Sequence, residues 1–456
     1  MALRPKAAQS RQARGDAIGK QRRTAHARID SGPGNSVLDG GDATALPRRS
    51  RPPSGAAAAG PHPRRSLLRR AAGVNPLYAN MPTSIFEEMS LLARAHQAIN
   101  LGQGFPDNPG PVDVRQAAAD AVLNGSNQYP PMLGLDVLRQ AAADHYRRFH
   151  GLDIGAGNVL VTSGATEALA AALLALLSPG DEVIVLQPAY DAYAPLIARA
   201  GGVPRFVTLR APDWRLPIAG IEAAIGPRTR LILFNNPMNP VARVFDAGEV
   251  DALAELCVRR GLIAICDEVW EHVLFDGRAH ETLIARPGMA ERTVKIGSAG
   301  KIFSLTGWKV GLVVAAPVLL AGIARAHQFL TFTTPPNLQA AVAYGLGKPD
   351  AYFVEMRGAY QRARDRLAAL LVPAGYVVLP SEGTYFLCVD LAASGIAADD
   401  RDFCRDLVTG AGVAAIPLSA FHVEKPEDAV IRLCFAKQDS VLDAAGARLA
   451  AYRQGC

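Results

Sequence analysis

The sequence predicts an α/β protein with a mostly parallel sheet in a large domain and a smaller α+β domain after it. Three observations predict this. From about Pro111 to Leu330, short continuous apolar runs alternate with helix-length segments. Such runs, without the in-out alternation of a half-exposed strand, are the mark of strands buried on both faces by crossover helices. Polar residues gather where those runs end, which is where open parallel sheets bind ligands. From about Asn337 the alternation gives way to a helix and shorter strands, "EGTYFLCVDL" and "AVIRLCFAK".

The chain has 456 residues, 49% of them hydrophobic, enough for more than one domain. Its net charge of +6 is uneven: residues 1–72 hold 15 Lys+Arg against 4 Asp+Glu, and the rest 33 against 38. The basic character therefore belongs to the first segment and gives the body no nucleic-acid footprint. Residues 1–73 are expected to be a disordered extension, since 1–72 have too few large apolar residues to offset ordering entropy. Their Arg-rich, acid-poor composition also suits a transit peptide. Alternatively they precede the true start, because Met81 opens the first strongly patterned stretch. Order is expected from Val74, with 74–110 belonging to the smaller domain, 111–336 forming the large domain and 337–456 the small C-terminal domain.

Within the large domain, "NVLVTSG" reads as a strand into a turn and "ATEALAAALLALL" as a helix. "DEVIVLQP", "PRFVTL", "RLILFNNP" and "LIAICDEV" read as strands. "YDAYAPLIARAGG" and "AGEVDALAELCVRRG" read as helices, the latter with a glycine stop. No apolar run reaches the ~18–20 residues that span a bilayer. The six cysteines, at 257, 266, 388, 404, 434 and 456, form no CxxC pair. Reduced thiols in a cytoplasmic protein are expected, with neither a metal site nor a disulfide framework.

The strand ends carry the chemistry. Ser163 and Gly164 turn into a helix whose first amides point outward, a place for a phosphate, with the Thr166 hydroxyl beside it. Tyr190 follows another strand and offers an aromatic face to a planar ligand, or packs in the core. Asn239 lies in the Asn- and Pro-rich loop of "LILFNNPMNPVARVF", as a donor to a ring oxygen or as turn chemistry. Asp267 emerges directly from an apolar run. It must be partnered, by a salt bridge, by a helix N-terminus or by a protonated ring nitrogen. Lys301 ends a run of small residues, and a positioned lysine amine can condense with an aldehyde cofactor and later shuttle a proton. Ser298 and Lys309 are close enough in sequence to bind a phosphate. Arg432, inside an apolar strand, suits a bidentate grip on a substrate carboxylate.

Together "GSAGKIFSLTGWKVG", "ICDEVWEH", "FNNPMNP", "VTSGATEAL", "INLGQGFPD" and "IRLCFAK" resemble class I aminotransferases of fold type I, from about residue 75 to the C-terminus. The methionine, glutamine-phenylpyruvate and kynurenine aminotransferases are the members most like it. The resemblance implies pyridoxal 5'-phosphate as cofactor, bound in the large domain and joined to Lys301. It implies that Asp267 faces the pyridine nitrogen, Asn239 the phenolic oxygen and Tyr190 the ring. Ala165, Thr166, Ser298 and Lys309 would hold the phosphate, joined by Tyr129 from a neighbouring subunit of a homodimer. Arg432 would bind the substrate α-carboxylate, with Gly104 and Asn239 nearby. The family usually has tyrosine at Trp270 and glycine at Ala242; indole there alters the hydrogen bond to the phenolic oxygen, and alanine strains a left-handed turn.

The reaction so implied is amino-group transfer from an L-amino acid of methionine, glutamine or aromatic type to a 2-oxo acid, by a ping-pong mechanism. Carbon–sulfur β-elimination at the same site is the alternative outcome. An aminotransferase-like DNA-binding regulator is the alternative class, disfavoured because residues 1–72 lack the periodicity of a helix-turn-helix. No nucleic-acid, membrane or metal partner is expected.

Overall fold

A computed structural model describes residues 73–79 and 81–455; the expectations for residues 1–72 lie outside them. Strand β1 (Ile99–Asn100) is short. The large sheet is made of β2 (Val159–Thr162), β3 (Glu182–Gln187), β4 (Val203–Thr208), β5 (Thr229–Asn235), β6 (Ile263–Asp267), β7 (Thr293–Ser298) and β8 (Gly311–Ala315). Their order is β2-β8-β7-β6-β5-β3-β4. All pairings are parallel except those of β8, which runs antiparallel to β2 and β7. The carboxyl ends of β2, β3, β5, β6 and β7 therefore share one edge, and β8 starts from that edge.

The strands read as continuous apolar runs because both faces are covered: every residue of β2, β3, β6, β7 and β8 is buried. Edge strand β4 instead alternates between exposed and half-buried positions before Val207. Each fully buried Leu, Ile or Val contributes about 1.5–3 kcal/mol, so this layer is the main apolar core.

Helix α1 (Ile85–Ala95) starts at Ser84, whose hydroxyl accepts from Glu87 N. Helices α2 (Val112–Asn124) and α3 (Asp136–His150) precede the sheet, and α4 (Ala165–Leu176) follows β2. Helix α5 (Ala247–Arg260) has a reciprocal capping box between Asp246 and Glu249 and ends on left-handed Gly261, the stop expected from the sequence.

After the large sheet, α6 (Asp350–Leu371) leads to β9 (Val377–Val378), β10 (Phe386–Asp390), β11 (Val413–Ala414), β12 (Ile416–Pro417) and β13 (Val430–Cys434). These give an antiparallel sheet ordered β12-β13-β10-β9, while β11 pairs in parallel with β1. An N-terminal strand is thus joined to the C-terminal region, over more than three hundred residues of sequence. Among the described residues no helix is long and apolar enough to cross a membrane. The described cysteines are free and buried.

Candidate active site

A cavity of about 380 Å³ lies at the shared strand edge. Gly104, Ala165, Thr166, Tyr190, Asn239, Asp267, Trp270, Ser298, Lys301, Lys309 and Arg432 all line it. Of the residues expected to bind cofactor or substrate, Tyr129 is elsewhere. It is 84% exposed and packs edge-on against Phe332, at 5.7 Å between ring centroids. Within one chain, Tyr129 is not part of the cavity.

The turn after β2 is shaped by glycine. Gly164 has φ +83° and caps α4 without any side-chain hydrogen bond, so the first amides of that helix keep their outward donors. A Cβ on Gly311, at the start of β8, would stand 2.6 Å from the Gly164 carbonyl carbon. Only a bare backbone lets β8 approach the turn so closely. Lys309 enters the same corner in the left-handed region, at φ +52°.

Asp267 accepts from the Tyr193 hydroxyl at 2.7 Å. Burial raises its carboxyl's pKa, against the Tyr193 and Val269 hydrogen bonds and the Lys301 charge. Asn235 holds the neighbouring loop: its Nδ2 donates to the Asp267 carbonyl at 2.7 Å, and its Oδ1 accepts from Asn239 N at 2.8 Å. Asn239 in turn accepts from Arg432 Nη1 at 2.7 Å, which leaves its own NH2 for another acceptor.

Arg432 is 1% exposed and, among the described residues, has no carboxylate in salt-bridge reach. It donates to Asn239 and to the Gly102 carbonyl, while its Nε has no partner. Phe386 lies 3.9 Å under the guanidinium, with Phe421 and Phe86 also beside it. Burial lowers its pKa to about 10. A buried cation so placed calls for an anion.

Lys301 Nζ donates to the Tyr385 hydroxyl at 2.9 Å and stands 4.6 Å from the Trp270 ring centroid. Burial brings its pKa down to about 8, an amine far closer to neutrality than an exposed lysine. Trp270 is 2% exposed and meets the Tyr385 ring at 4.3 Å and 87°. Ala242 takes φ +60°, and its carbonyl accepts from Glu382 N and Gly383 N. The turn that glycine would make freely is thus held by two backbone hydrogen bonds.

Sequence reasoning missed several residues here. Tyr193 and Asn235 lie beside the chosen Tyr190 and Asn239, but spacing alone does not say which member of each pair faces the cavity. Tyr385 was hidden in a segment read only as strand. Lys295 was passed over on β7. It is fully buried, with Nζ 2.5 Å from Glu268 and 2.6 Å from Glu271. Glu268 also meets His280, and Glu271 meets His150. Glu268, Glu271 and His280 stand within metal-ligating reach of one another, as do His150, Glu271 and His272, yet the cation beside the two acids is the lysine.

By its family and its solved neighbours the chain is a fold type I, pyridoxal-phosphate-dependent enzyme, and the amine, buried carboxylate, open helix N-terminus and buried guanidinium at this edge suit that cofactor. The aminotransferase class I and II family matches residues 96–449, and the chain belongs to it. It is 44% identical over 380 residues to a probable N-succinyldiaminopimelate aminotransferase of Mycobacterium tuberculosis, covering 80% of this chain and 95% of that protein. To the methionine aminotransferase of Escherichia coli K12 it is 43% identical over 368 residues, with the same coverage. A crystal structure from Escherichia coli, identified as a methionine aminotransferase, superposes with TM-score 0.81 at 41% identity, covering 83% of this chain and 99% of that one. The protein is an aminotransferase.

Proposed function

We propose that the cavity transfers the amino group of an L-amino acid of methionine, glutamine or aromatic type to a 2-oxo acid, with Lys301 as the catalytic residue. The observation that carries this reading is the convergence of Lys301, Asp267 and Arg432 on one cavity. Pyridoxal phosphate, when bound, supplies an aldehyde that takes up the donor's amino group and a ring that accepts electrons from its α-carbon. The residues fit it. Ala165 and Thr166 at the α4 N-terminus, with Ser298 and Lys309, suit the phosphate. Asp267 suits the ring nitrogen, Asn239 the phenolic oxygen, and Tyr190 and Trp270 the ring itself. Arg432, with Asn239 and the Gly104 backbone beside it, holds the substrate carboxylate. Lys301 Nζ takes the α-proton and later returns it. Donor and acceptor use the site in turn, which gives ping-pong kinetics.

The donor class rests on the remaining lining. Phe86, Phe105, Leu169 and Phe386 make it apolar, Gln103 adds one amide, and Arg432 is its only arginine among the described residues. Within one chain a second carboxylate thus has no guanidinium to meet, which speaks against aspartate. The names of two relatives, a methionine aminotransferase and a kynurenine–oxoglutarate transaminase, support the same class. We place the enzyme in the cytoplasm as a homodimer in which exposed Tyr129 reaches the partner's phosphate. The division at 74–110, 111–336 and 337–456 then sets a small domain against a large one.

The test is reconstitution with the cofactor, borohydride reduction and peptide mapping, followed by a donor and 2-oxo-acid matrix. The expected result is a label on Lys301 and transfer from methionine, glutamine or aromatic donors. A label on another side chain overturns the assignment, and pyruvate and ammonia release without an acceptor replaces transfer by β-elimination.

A further inference from the structure

Tyr385 is 1% exposed and is not among the side chains lining the cavity. It lies behind Lys301, and its hydroxyl has two partners. It donates to the Gly104 carbonyl, in a short hydrogen bond, and accepts from Lys301 Nζ at 2.9 Å. A tyrosine hydroxyl has one proton. With that proton committed to a carbonyl, which can only accept, the oxygen offers Lys301 nothing but lone pairs. Nζ must therefore approach as the donor, and when neutral its own lone pair is turned away from Tyr385.

The backbone around Tyr385 is set for this. Thr384 just before it has φ +64°, a strained conformation for a non-glycine residue. It is held by hydrogen bonds from Thr384 N to the Val273 carbonyl and from Phe386 N to Thr384 Oγ1. Phe435 N donates to the Tyr385 carbonyl at 3.0 Å. Beside it, Trp270 has no hydroxyl and presents its ring to Nζ at 4.6 Å. The phenol and the indole face are thus the two groups that define where the free amine rests.

We propose that Tyr385 is a positioning residue for the Lys301 amine: it holds Nζ in one place, lone pair outward, whenever the lysine is not joined to the cofactor. The inference rests on the reading of Lys301 given above. It adds an acceptor-only hydroxyl at this lysine, from a segment remote in sequence from every other cavity motif.

Tyr385→Phe keeps the ring that packs on Trp270 and Phe386 and removes only the hydroxyl. Two readouts test it. In the apoprotein, the pH dependence of Lys301 acylation, followed by mass spectrometry, reports how strongly the ammonium is held. An acceptor favours the charged amine, so its loss moves the midpoint to lower pH. The other ionisable groups facing Nζ are Asp267 on β6 and Arg432 and Cys434 on β13, and the substitution leaves them all in place. In the reconstituted enzyme, the single-turnover rate with a methionine donor falls about tenfold or more, as for a misplaced reacting group, and the α-deuterium isotope effect rises. An unchanged apoprotein midpoint overturns the proposal, whatever the turnover rate does. Failure of the parent protein to label at Lys301 overturns the underlying assignment instead, so the two failures are distinguishable.

Discussion

Two residues illustrate how much rests on single side chains. Arg432 is buried on a bed of phenylalanines with its Nε unpartnered. Lysine there keeps the charge but loses the planar fork that grips a carboxylate with two parallel bonds. Arg432→Lys is expected to raise KM for the donor about 100-fold while the cofactor's absorbance is retained; an unchanged KM would place the carboxylate elsewhere. Ala242 is the opposite case, a residue in a conformation that suits glycine. Left-handed backbone costs an L-residue roughly 1–2 kcal/mol, and glycine's extra unfolded-state freedom recovers ~0.5–1 kcal/mol of that. Ala242 is also fully buried, and losing its methyl costs about 0.8 kcal/mol, so Ala242→Gly is expected to change stability by less than about 1 kcal/mol in denaturant unfolding. A larger loss of stability would mean that the hydrogen bonds to its carbonyl relax the turn fully.

At the scale of elements, the segment from Asp267 to Trp270 is aligned by what lies behind it. Lys295 on β7 bridges Glu268 and Glu271, on either side of Val269 and Trp270. Burial pushes the Glu268 carboxyl up, but Lys295 and His280 outweigh it and hold it at about 2, below its ordinary 4.5. A depressed carboxyl stabilises the fold fully above its unfolded pKa and loses that stabilisation as pH falls through the folded value. The contribution is thus complete above about pH 4.5 and disappears toward about pH 2. Lys295→Met strands two buried glutamates and is expected to cost about 3–5 kcal/mol. It also completes the acid loss of stability at higher pH, because without the lysine's charge the carboxyls take up protons earlier as the pH falls. Equilibrium unfolding between pH 3 and 8 checks both, and an unaltered acid limb would show that the lysine does not control these groups.

At the scale of the whole molecule, the cavity draws, among the described residues, on side chains from Phe86 to Arg432. A protein beginning at Val74 is therefore expected to bind cofactor and turn over like the full chain. A loss of either on truncation would give residues 1–73 a role in the site. The fold and much of the site were legible in the sequence because their signals are local. Continuous apolar strands name a covered parallel sheet, and a polar residue at the end of each strand falls at one edge by topology alone. Asp267, Asn239 and Lys301 were picked out in this way, and Arg432 as a charge inside an apolar strand; all four line one cavity. What each one touches was not local. The Arg432–Asn239 hydrogen bond spans nearly two hundred residues, and Tyr385 reaches Lys301 from the turn before β10, a segment with no catalytic motif of its own. Lys295 resembled any lysine in a strand until the adjacent β6 put two glutamates on it. The sequence by itself determined the sheet, its edge and the chemical types gathered there, since each follows from periodicity and chain direction. Only the tertiary structure decided which lone pairs, protons and charges meet, because those contacts depend on the packing of segments that the chain keeps far apart.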